Sequence, residues 1–108
     1  MQLLREFSGT RILLAEDEPV NREVVCFQLQ DVGLLVDIAE DGEQACALAA
    51  VNDYALILMD MQMPNMNGLD ATRAIRVGAR NRRTPIIAIS ANAFTQDREA
   101  CLDAGMND

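Results

Sequence analysis

Apolar residues along the chain form four short runs, and each run is followed by a segment with apolar residues at helical spacing. A continuous apolar run of this length is typical of a buried strand, and the longer segments with a period near 3.6 are typical of helices. The predicted strands cover residues 12–15, 36–39, 55–59 and 85–89. The predicted helices cover residues 19–32, 43–51, 69–77 and 95–104.

Strict alternation of strand and helix predicts an α/β domain. Four strand–helix units in a row favour a doubly wound parallel sheet with helices on both faces. The strands are apolar almost throughout, as parallel strands are when both faces are buried. The third helix has a narrower apolar face, for which we predict Ala71, Thr72 and Ile75 as the inner positions. Arg73 and Arg76 fall outside that face and are predicted to be solvated.

Length and composition limit the chain to one domain and exclude several chemistries. The 108 residues are about half apolar, enough for a single core. All nine basic residues are arginine, and neither lysine nor histidine occurs. Histidine triads, histidine zinc sites, phosphohistidine carriers and Schiff-base lysines are therefore excluded. The net charge of −8 argues against non-specific binding to nucleic acid.

The cysteines predict a reducing environment. Cys26, Cys46 and Cys101 are widely spaced, odd in number and without a CxxC motif, a pattern typical of reduced thiols packed as small apolar side chains. The sequence shows no signal peptide and no apolar stretch long enough to span a bilayer. We therefore expect a cytoplasmic domain without membrane association.

Acidic residues and one serine follow three of the predicted strands. Glu16 and Asp17 follow the first strand, Asp60 follows the third and Ser90 follows the fourth. Ligands of doubly wound sheets bind at the carboxyl ends of the strands, where the winding direction reverses. If the first and third strands are neighbours there, three carboxylates share one crevice and repel one another. A hard divalent cation relieves that repulsion, and Mg²⁺ prefers such oxygen ligands.

A metal-bound carboxylate cluster of this kind suits phosphoryl transfer. One carboxylate can act as a nucleophile on phosphorus and form an aspartyl phosphate. Ser90 is placed to donate a hydroxyl hydrogen bond to a phosphoryl oxygen. Taken one at a time, the same residues also fit ordinary helix caps and turns. Their joint placement at three strand ends favours the functional interpretation.

These motifs resemble the receiver domain of two-component response regulators. The resemblance extends from about Arg11 to the last residue. In their details the motifs are similar to those of receivers of hybrid sensor histidine kinases. It implies a flavodoxin-like sheet with strand order 2-1-3-4. The matching stretches are residues 12–18, residues 59–64 with Gly68, residues 85–91 and residues 104–106.

The resemblance assigns roles to five residues. It implies that Asp60 accepts the phosphoryl group and that Ser90 contacts that group. Asp17 would bind Mg²⁺ directly, Glu16 would act on the metal mostly through water, and the backbone carbonyl of Gln62 would be a further ligand. The donor would be a phosphohistidine on a partner histidine kinase or histidine phosphotransfer domain. On this interpretation the isolated domain is a self-phosphorylating receiver and a signalling module, a possible fragment of a hybrid kinase, rather than an enzyme.

The sequence departs from the family near its end. Receivers continue with a fifth strand, a lysine beside the phosphoryl site and a fifth helix. We therefore expect residues 1–10 to be a lead-in and residues 11–108 to be a receiver domain lacking its last strand and helix. Without the lysine, we expect weaker phosphorylation than in a full-length version. The exposed edge of the fourth strand favours a homodimer through that strand and the fourth helix.

Two other functions compete with phosphoacceptance. The first is a docking or dimerisation domain that keeps the receiver fold without being phosphorylated. The second is a metal-dependent phosphohydrolase with an aspartyl nucleophile, resembling the haloacid dehalogenase group. Those enzymes carry a second aspartate two residues after the nucleophile. Gln62 occupies that position here, and an amide cannot act as a general acid.

Overall fold

The computed structural model confirms the predicted alternation of strands and helices. It describes residues 10–61, 63–78, 80–89, 102, 105 and 106. The predicted fourth helix over residues 95–104 lies outside the described residues, apart from Leu102, which is helical. The described elements are β1 (Arg11–Ala15), α1 (Pro19–Asp31), β2 (Leu35–Ala39), α2 (Gly42–Val51), β3 (Leu56–Met59), α3 (Gly68–Val77) and β4 (Ile86–Ala88).

The four strands form one parallel sheet in the order β2-β1-β3-β4. The chain moves outward from β1 to β2 and then crosses back over β1 to reach β3. Because such crossovers are right-handed, α1 lies on one face of the sheet, and α2 and α3 lie on the other. This is the predicted doubly wound arrangement. The winding direction reverses between β1 and β3, so the crevice expected for a ligand lies at the carboxyl ends of these two strands.

The core lies between the sheet and the face covered by α2 and α3. Alternate strand residues point to this face, and α2 and α3 meet them with small side chains that allow close packing. The predicted inner face of α3 is confirmed, with Gly68 added to it. The buried residues that form this layer are Leu13, Ala15, Ala39, Ile57, Met59, Ile86 and Ala88 from the strands and Ala45, Ala49, Ala71 and Ile75 from the helices.

Each described helix begins with a polar side chain that caps its first turn. Glu18 caps α1, Asp41 caps α2 and Asn67 caps α3, and each side chain accepts a hydrogen bond from the backbone N–H three residues later. All three caps follow the carboxyl end of a strand. The edge of the sheet that carries the predicted site is therefore also the edge where three helix N-termini gather.

The prediction that Arg76 is solvated is wrong. Its guanidinium group is part-buried and donates hydrogen bonds to the backbone carbonyls of Asn81, Arg82, Thr84 and Gly105. Three of these carbonyls, those of Asn81, Arg82 and Thr84, lie in the connector between α3 and β4, outside any helix or strand. A guanidinium, with five N–H donors in a fixed fork, can satisfy several of them at once. Arg73, by contrast, is exposed as predicted and pairs with Asp70 on the surface of α3.

Asn81 holds the other side of the same connector. It is 8% exposed and has a φ of 61°, in the left-handed region. Its Nδ2 donates to the carbonyls of Ala49 and Asn52, at 2.8 and 2.7 Å. Its Oδ1 accepts from the backbone N–H of Tyr54 and from the hydroxyl of Thr84, both at 2.9 Å. All four hydrogen-bonding positions of this amide are therefore filled, and they join the end of α2 to the start of β3.

The described cysteines agree with the predicted reduced state. Cys26 and Cys46 are both free thiols and both half-buried, while Cys101 lies outside the described residues. No helix in the described part of the chain has the length and apolar character needed to cross a membrane.

Candidate functional site

Three carboxylates converge where β1 and β3 end. Glu16, Asp17 and Asp60 each offer a carboxylate oxygen, and these oxygens lie within 4.8 Å of one another. The sheet itself produces this proximity, because the backbone N–H of Asp60 donates to the carbonyl of Ala15 at 2.9 Å and so continues the ladder between β1 and β3. The structure thus brings together three of the residues that the sequence predicts for the site.

The cluster is buried enough to disfavour full ionisation. Glu16 is 4% exposed and Asp60 is 9% exposed. Burial, reinforced by a hydrogen bond and the charge of Asp60, raises the pKa of Glu16 to about 7, although a hydrogen bond with the Asn21 side chain acts in the opposite direction. Burial and the hydrogen bond with Asp60 also raise the pKa of Asp17. Glu16 and Asp17 therefore hold their protons more tightly than free carboxyl groups do.

The donor set of this cluster suits a hard divalent cation. All three side chains offer carboxylate oxygens, which Mg²⁺ prefers over nitrogen or sulfur ligands. A cation between them would offset both the burial of the charges and their mutual repulsion. Mg²⁺ usually keeps several water ligands when only a few carboxylates hold it, so positions remain for phosphoryl oxygens.

Gly68 allows α3 to start directly against the backbone of Asp60. A Cβ atom at residue 68 would collide with the carbonyl group of Asp60 and press on the Cα of Met61. The N–H of Gly68 also donates to the carbonyl of Met61 at 3.1 Å. The missing side chain lets helix and strand end approach closely, which limits movement of the Asp60 backbone.

The remaining predicted site residues, Gln62 and Ser90, lie outside the described residues. The strand leading to Ser90 is described. The backbone N–H of Ile89 donates to the carbonyl of Met59 at 3.1 Å, so β4 accompanies β3 as far as the residue before Ser90.

Two features around the site were missed by reasoning from the sequence. Asp41 caps α2, and the Asn65 side chain donates to the Asp41 carboxylate at 2.7 Å. The capping pattern at Asp41 was a usable signal for the start of α2, since a carboxylate there is typical of an N-cap. No local pattern indicates its second partner 24 residues away.

The raised pKa of Glu16 predicts a pH-dependent stability in the absence of divalent cations. Between the ordinary value of 4.5 and about 7, the folded protein keeps a proton that the unfolded chain has released. Stability therefore falls as pH rises through this window and the contribution of Glu16 changes no further above it. Glu16→Gln removes this dependence, so the thermal stability of the variant relative to wild type should increase from pH 4.5 to 7 and then level off.

Thermal unfolding in EDTA between pH 4 and 8.5 checks this expectation. Glu23→Gln on the exposed surface of α1 is the matched control and should run parallel to wild type. A constant difference between Glu16→Gln and wild type across this range would contradict the raised pKa.

Fold and carboxylate cluster together define a class of protein, a flavodoxin-like α/β domain with an acidic crevice at the switch point of its sheet. The family model described as the response regulator receiver domain matches residues 12–108. The chain therefore belongs to the receiver domain family of response regulators, and the resemblance noted in the sequence is confirmed.

Solved and curated relatives agree with this assignment. The receiver domain of the sensor histidine kinase PA1611 from Pseudomonas aeruginosa PAO1 is 48% identical, with a TM-score of 0.87 over 94% of this chain and 83% of that chain. That structure has a magnesium ion coordinated in its active site cleft. The chain is also similar to the sensor protein EvgS of Escherichia coli K12, with 42% identity over 89% of this chain. The hybrid signal transduction histidine kinase B of Dictyostelium discoideum is 38% identical over 91% of this chain.

These curated relatives are much longer than the chain. It spans 8% of EvgS and 6% of the Dictyostelium kinase. The predicted similarity to receivers of hybrid sensor kinases is confirmed by both matches.

Proposed function

We propose that this chain is a phosphoacceptor domain of a two-component phosphorelay. On this proposal it takes a phosphoryl group from the phosphohistidine of a partner kinase or phosphotransfer domain onto Asp60, in a reaction that needs Mg²⁺. The convergence of Glu16, Asp17 and Asp60 within 4.8 Å supports it most directly. We assign this function to residues 11–108, with residues 1–10 as a lead-in.

The chemistry of the proposed transfer is a displacement at phosphorus. An oxygen of the Asp60 carboxylate forms the new O–P bond while the P–N bond to the donor imidazole breaks, and the electron pair of that bond returns to the imidazole nitrogen. Glu16, Asp17 and Asp60 would hold the cation, together with the backbone carbonyl proposed for Gln62. When bound, Mg²⁺ would neutralise charge on the carboxylates and phosphoryl oxygens. Ser90 would donate its hydroxyl to a phosphoryl oxygen.

The two raised pKa values fit this assignment. Glu16 and Asp17 both resist ionisation in the described cluster, Glu16 more strongly because it is more deeply buried. A dication in the crevice would reverse this balance and favour the ionised forms. Ligands of this kind bind Mg²⁺ more weakly at low pH, since the cation must displace a proton from Glu16.

An exposed apolar stripe on α1 supports transfer from another protein. Val20, Val24 and Phe27 recur at helical spacing and all are more than half exposed, with Phe27 at 72%. α1 starts directly after the carboxylate cluster, since Glu18 is its N-cap. Exposed apolar patches beside a reactive site are typical of protein interaction surfaces.

We expect Phe27→Ala to slow transfer from a protein donor while leaving transfer from a small-molecule donor unchanged. Truncating a buried aromatic anchor of an interface typically weakens binding by about tenfold or more. A panel of phosphorylated histidine phosphotransfer domains would first be tested with wild type. The rate of phosphoryl transfer would then be measured with the domain that reacts fastest. Val77→Ala removes an even more exposed apolar side chain, 84% exposed, at the C-terminal end of α3 and serves as the control. Equal slowing with both kinds of donor would count against an α1 interface.

The proposed function is tested by intact mass after incubation with MgCl₂ and acetyl phosphate. We expect the mass to increase by one phosphoryl group, with the modification on residue 60, and no increase when EDTA replaces MgCl₂. A folded, Mg²⁺-saturated chain that gains no mass from acetyl phosphate or from a phosphorylated protein donor would contradict phosphoacceptance. That result would favour the docking domain instead.

A further inference from the structure

The loop that follows Asp60 is tied to the start of α2. We call Met61 and residues 63–67 the β3–α3 loop, since they are the described residues between Asp60 and α3. The Asn65 Nδ2 atom donates to the Asp41 Oδ2 atom at 2.7 Å. The backbone N–H of Gly42 donates to the carbonyl of Met66 at 3.0 Å. Two adjacent loop residues are therefore bonded to two adjacent residues at the N-terminus of α2.

Asp41 does two things with one carboxylate. Its Oδ1 atom accepts from the backbone N–H of Gln44 at 2.8 Å and caps α2, while its Oδ2 atom accepts from Asn65. Asp41 is 8% exposed, and both of its hydrogen bonds are part-buried. The hydrogen bond from Gln44, followed by that from Asn65, lowers the pKa of Asp41, which keeps it ionised at neutral pH.

The loop is shaped to make this contact. Asn65 has a φ of 68°, in the left-handed region, which asparagine adopts more readily than most residues. Gly42 must lack a side chain, because a Cβ atom there would collide with the carbonyl of Met66. The Asn65 side chain is exposed to solvent, whereas the Asp41 carboxylate that it contacts is buried. Burial of Asn65 therefore does not account for this hydrogen bond.

The other end of the loop lies against the carboxylate cluster. The loop begins at the residue after Asp60, and the carbonyl of Met61 accepts from the N–H of Gly68. Gly68 in turn packs directly on the carbonyl of Asp60. A shift of the loop away from α2 is therefore transmitted to the backbone on the carboxyl side of Asp60.

We propose that Asp41 and Asn65 form a positioning pair, which holds the β3–α3 loop beside the carboxylate cluster and thereby strengthens binding of Mg²⁺. This inference rests on the proposed function, because that proposal names the cation. Partners outside the direct ligands of a metal set the geometry of the site, and their loss typically weakens metal binding by tenfold or more. Neither residue of the pair is a ligand in this scheme.

Asn65→Asp breaks the pair with little change of shape. The substitution replaces the side-chain amide that donates to Asp41 with a second carboxylate, so the two side chains repel each other. Aspartate still tolerates the left-handed backbone conformation. Asn67→Asp is the matched control. It adds the same charge to the same loop, but residue 67 caps α3 by accepting from the backbone N–H of Asp70, a task that aspartate performs equally well.

The dissociation constant for Mg²⁺ would be measured by titrating MgCl₂ into each variant and following backbone amide NMR signals. We expect Asn65→Asp to raise it about tenfold relative to Asn67→Asp. Thermal unfolding of each variant checks that the fold is kept. Asn65→Gly, which also suits the left-handed backbone, gives a second loss of the contact without added charge, and it should weaken Mg²⁺ binding in the same direction.

A reciprocal exchange distinguishes positioning from a general effect on stability. In the double variant Asp41→Asn with Asn65→Asp, an amide at residue 41 still caps α2 and donates to the carboxylate at residue 65. The net charge returns to that of wild type. We expect this variant to recover wild-type Mg²⁺ affinity to within about threefold, which a purely structural loss would not do.

Each outcome of these titrations bears on the pair. The inference would be overturned if Asn65→Asp and Asn67→Asp bound Mg²⁺ with equal affinity. It would also be overturned if the double variant bound Mg²⁺ no more tightly than Asn65→Asp. A wild-type chain that binds no Mg²⁺ would overturn it as well, since the pair would have no cation to position. A chain that binds Mg²⁺ with the expected pattern but is never phosphorylated would overturn the proposed function and leave the positioning pair supported.

Discussion

Asp60→Asn is expected to abolish the gain of a phosphoryl group from acetyl phosphate in the presence of Mg²⁺. Asparagine carries a neutral amide in place of the carboxylate and cannot form an acyl phosphate, so the proposed nucleophile is lost. A carboxylate oxygen of Asp60 lies within 4.8 Å of carboxylate oxygens of Glu16 and Asp17, and Asp60 is 9% exposed. We expect no other carboxylate in the described part of the chain to replace it, and the intact mass should remain that of the unmodified variant.

The same substitution should change the electrostatics of the cluster. Asp60 raises the pKa of Glu16 both by its hydrogen bond and by its charge. Removing that charge lowers the pKa of Glu16, so the pH dependence of stability in EDTA should weaken along with phosphorylation. If Asp60→Asn lost phosphorylation but kept the pH dependence of stability, Asp60 would not interact with Glu16. That result would count against the site as described.

Asp53→Asn provides the matched control for Asp60→Asn. Asp53 is a surface carboxylate whose side chain is 79% exposed and pairs with Arg80. Exposed ion pairs contribute little, so this variant should keep wild-type phosphorylation and stability. A mass gain that persists in Asp60→Asn, or disappears in Asp53→Asn, would place the acceptor elsewhere.

Asn81→Ala should be the most destabilising single substitution considered for the fold. It removes four hydrogen bonds at a buried position and leaves the N–H of Tyr54 and the carbonyl of Ala49 without these partners. It also forces alanine into the left-handed backbone conformation. Unsatisfied buried groups cost about 1–3 kcal/mol each, so we expect the free energy of unfolding to fall by roughly 3 kcal/mol.

Urea unfolding measures this loss of unfolding free energy, and two further variants identify its physical cause. Arg82→Ala changes the exposed neighbour and should leave the midpoint nearly unchanged. Asn81→Gly fits the backbone but still lacks the amide, so most of the loss should remain. If Asn81→Gly is as stable as wild type, backbone strain rather than hydrogen bonding explains the effect of alanine.

The order of strands and helices follows from local patterns in the sequence. Short apolar runs and segments of helical period require only neighbouring residues, so β1 to β4 and α1 to α3 were predicted within a few residues of their observed bounds. The acidic residues that follow β1 and β3 were expected to share one crevice. That expectation requires only the rule that the carboxyl ends of parallel strands lie at the same edge of the sheet.

Arg76 shows where this local reasoning fails. Its position on α3 predicts a solvated side chain, because helical spacing reports only which residues share a face. The observed partners are backbone carbonyls of the connector after α3. Whether a long polar side chain meets water or a neighbouring loop depends on where that loop runs, which the helix pattern does not specify.

The sequence by itself determined the α/β architecture, the family and the strand ends that carry Glu16, Asp17 and Asp60, because each depends on local periodicity or on motifs with fixed spacing. Only the tertiary structure decided that Asp41 meets Asn65, that Asn81 joins α2 to β3, and how strongly burial raises the pKa of Glu16. These contacts join residues far apart in the chain, and their energies depend on distance and exclusion of water. Both quantities exist only once the chain has folded.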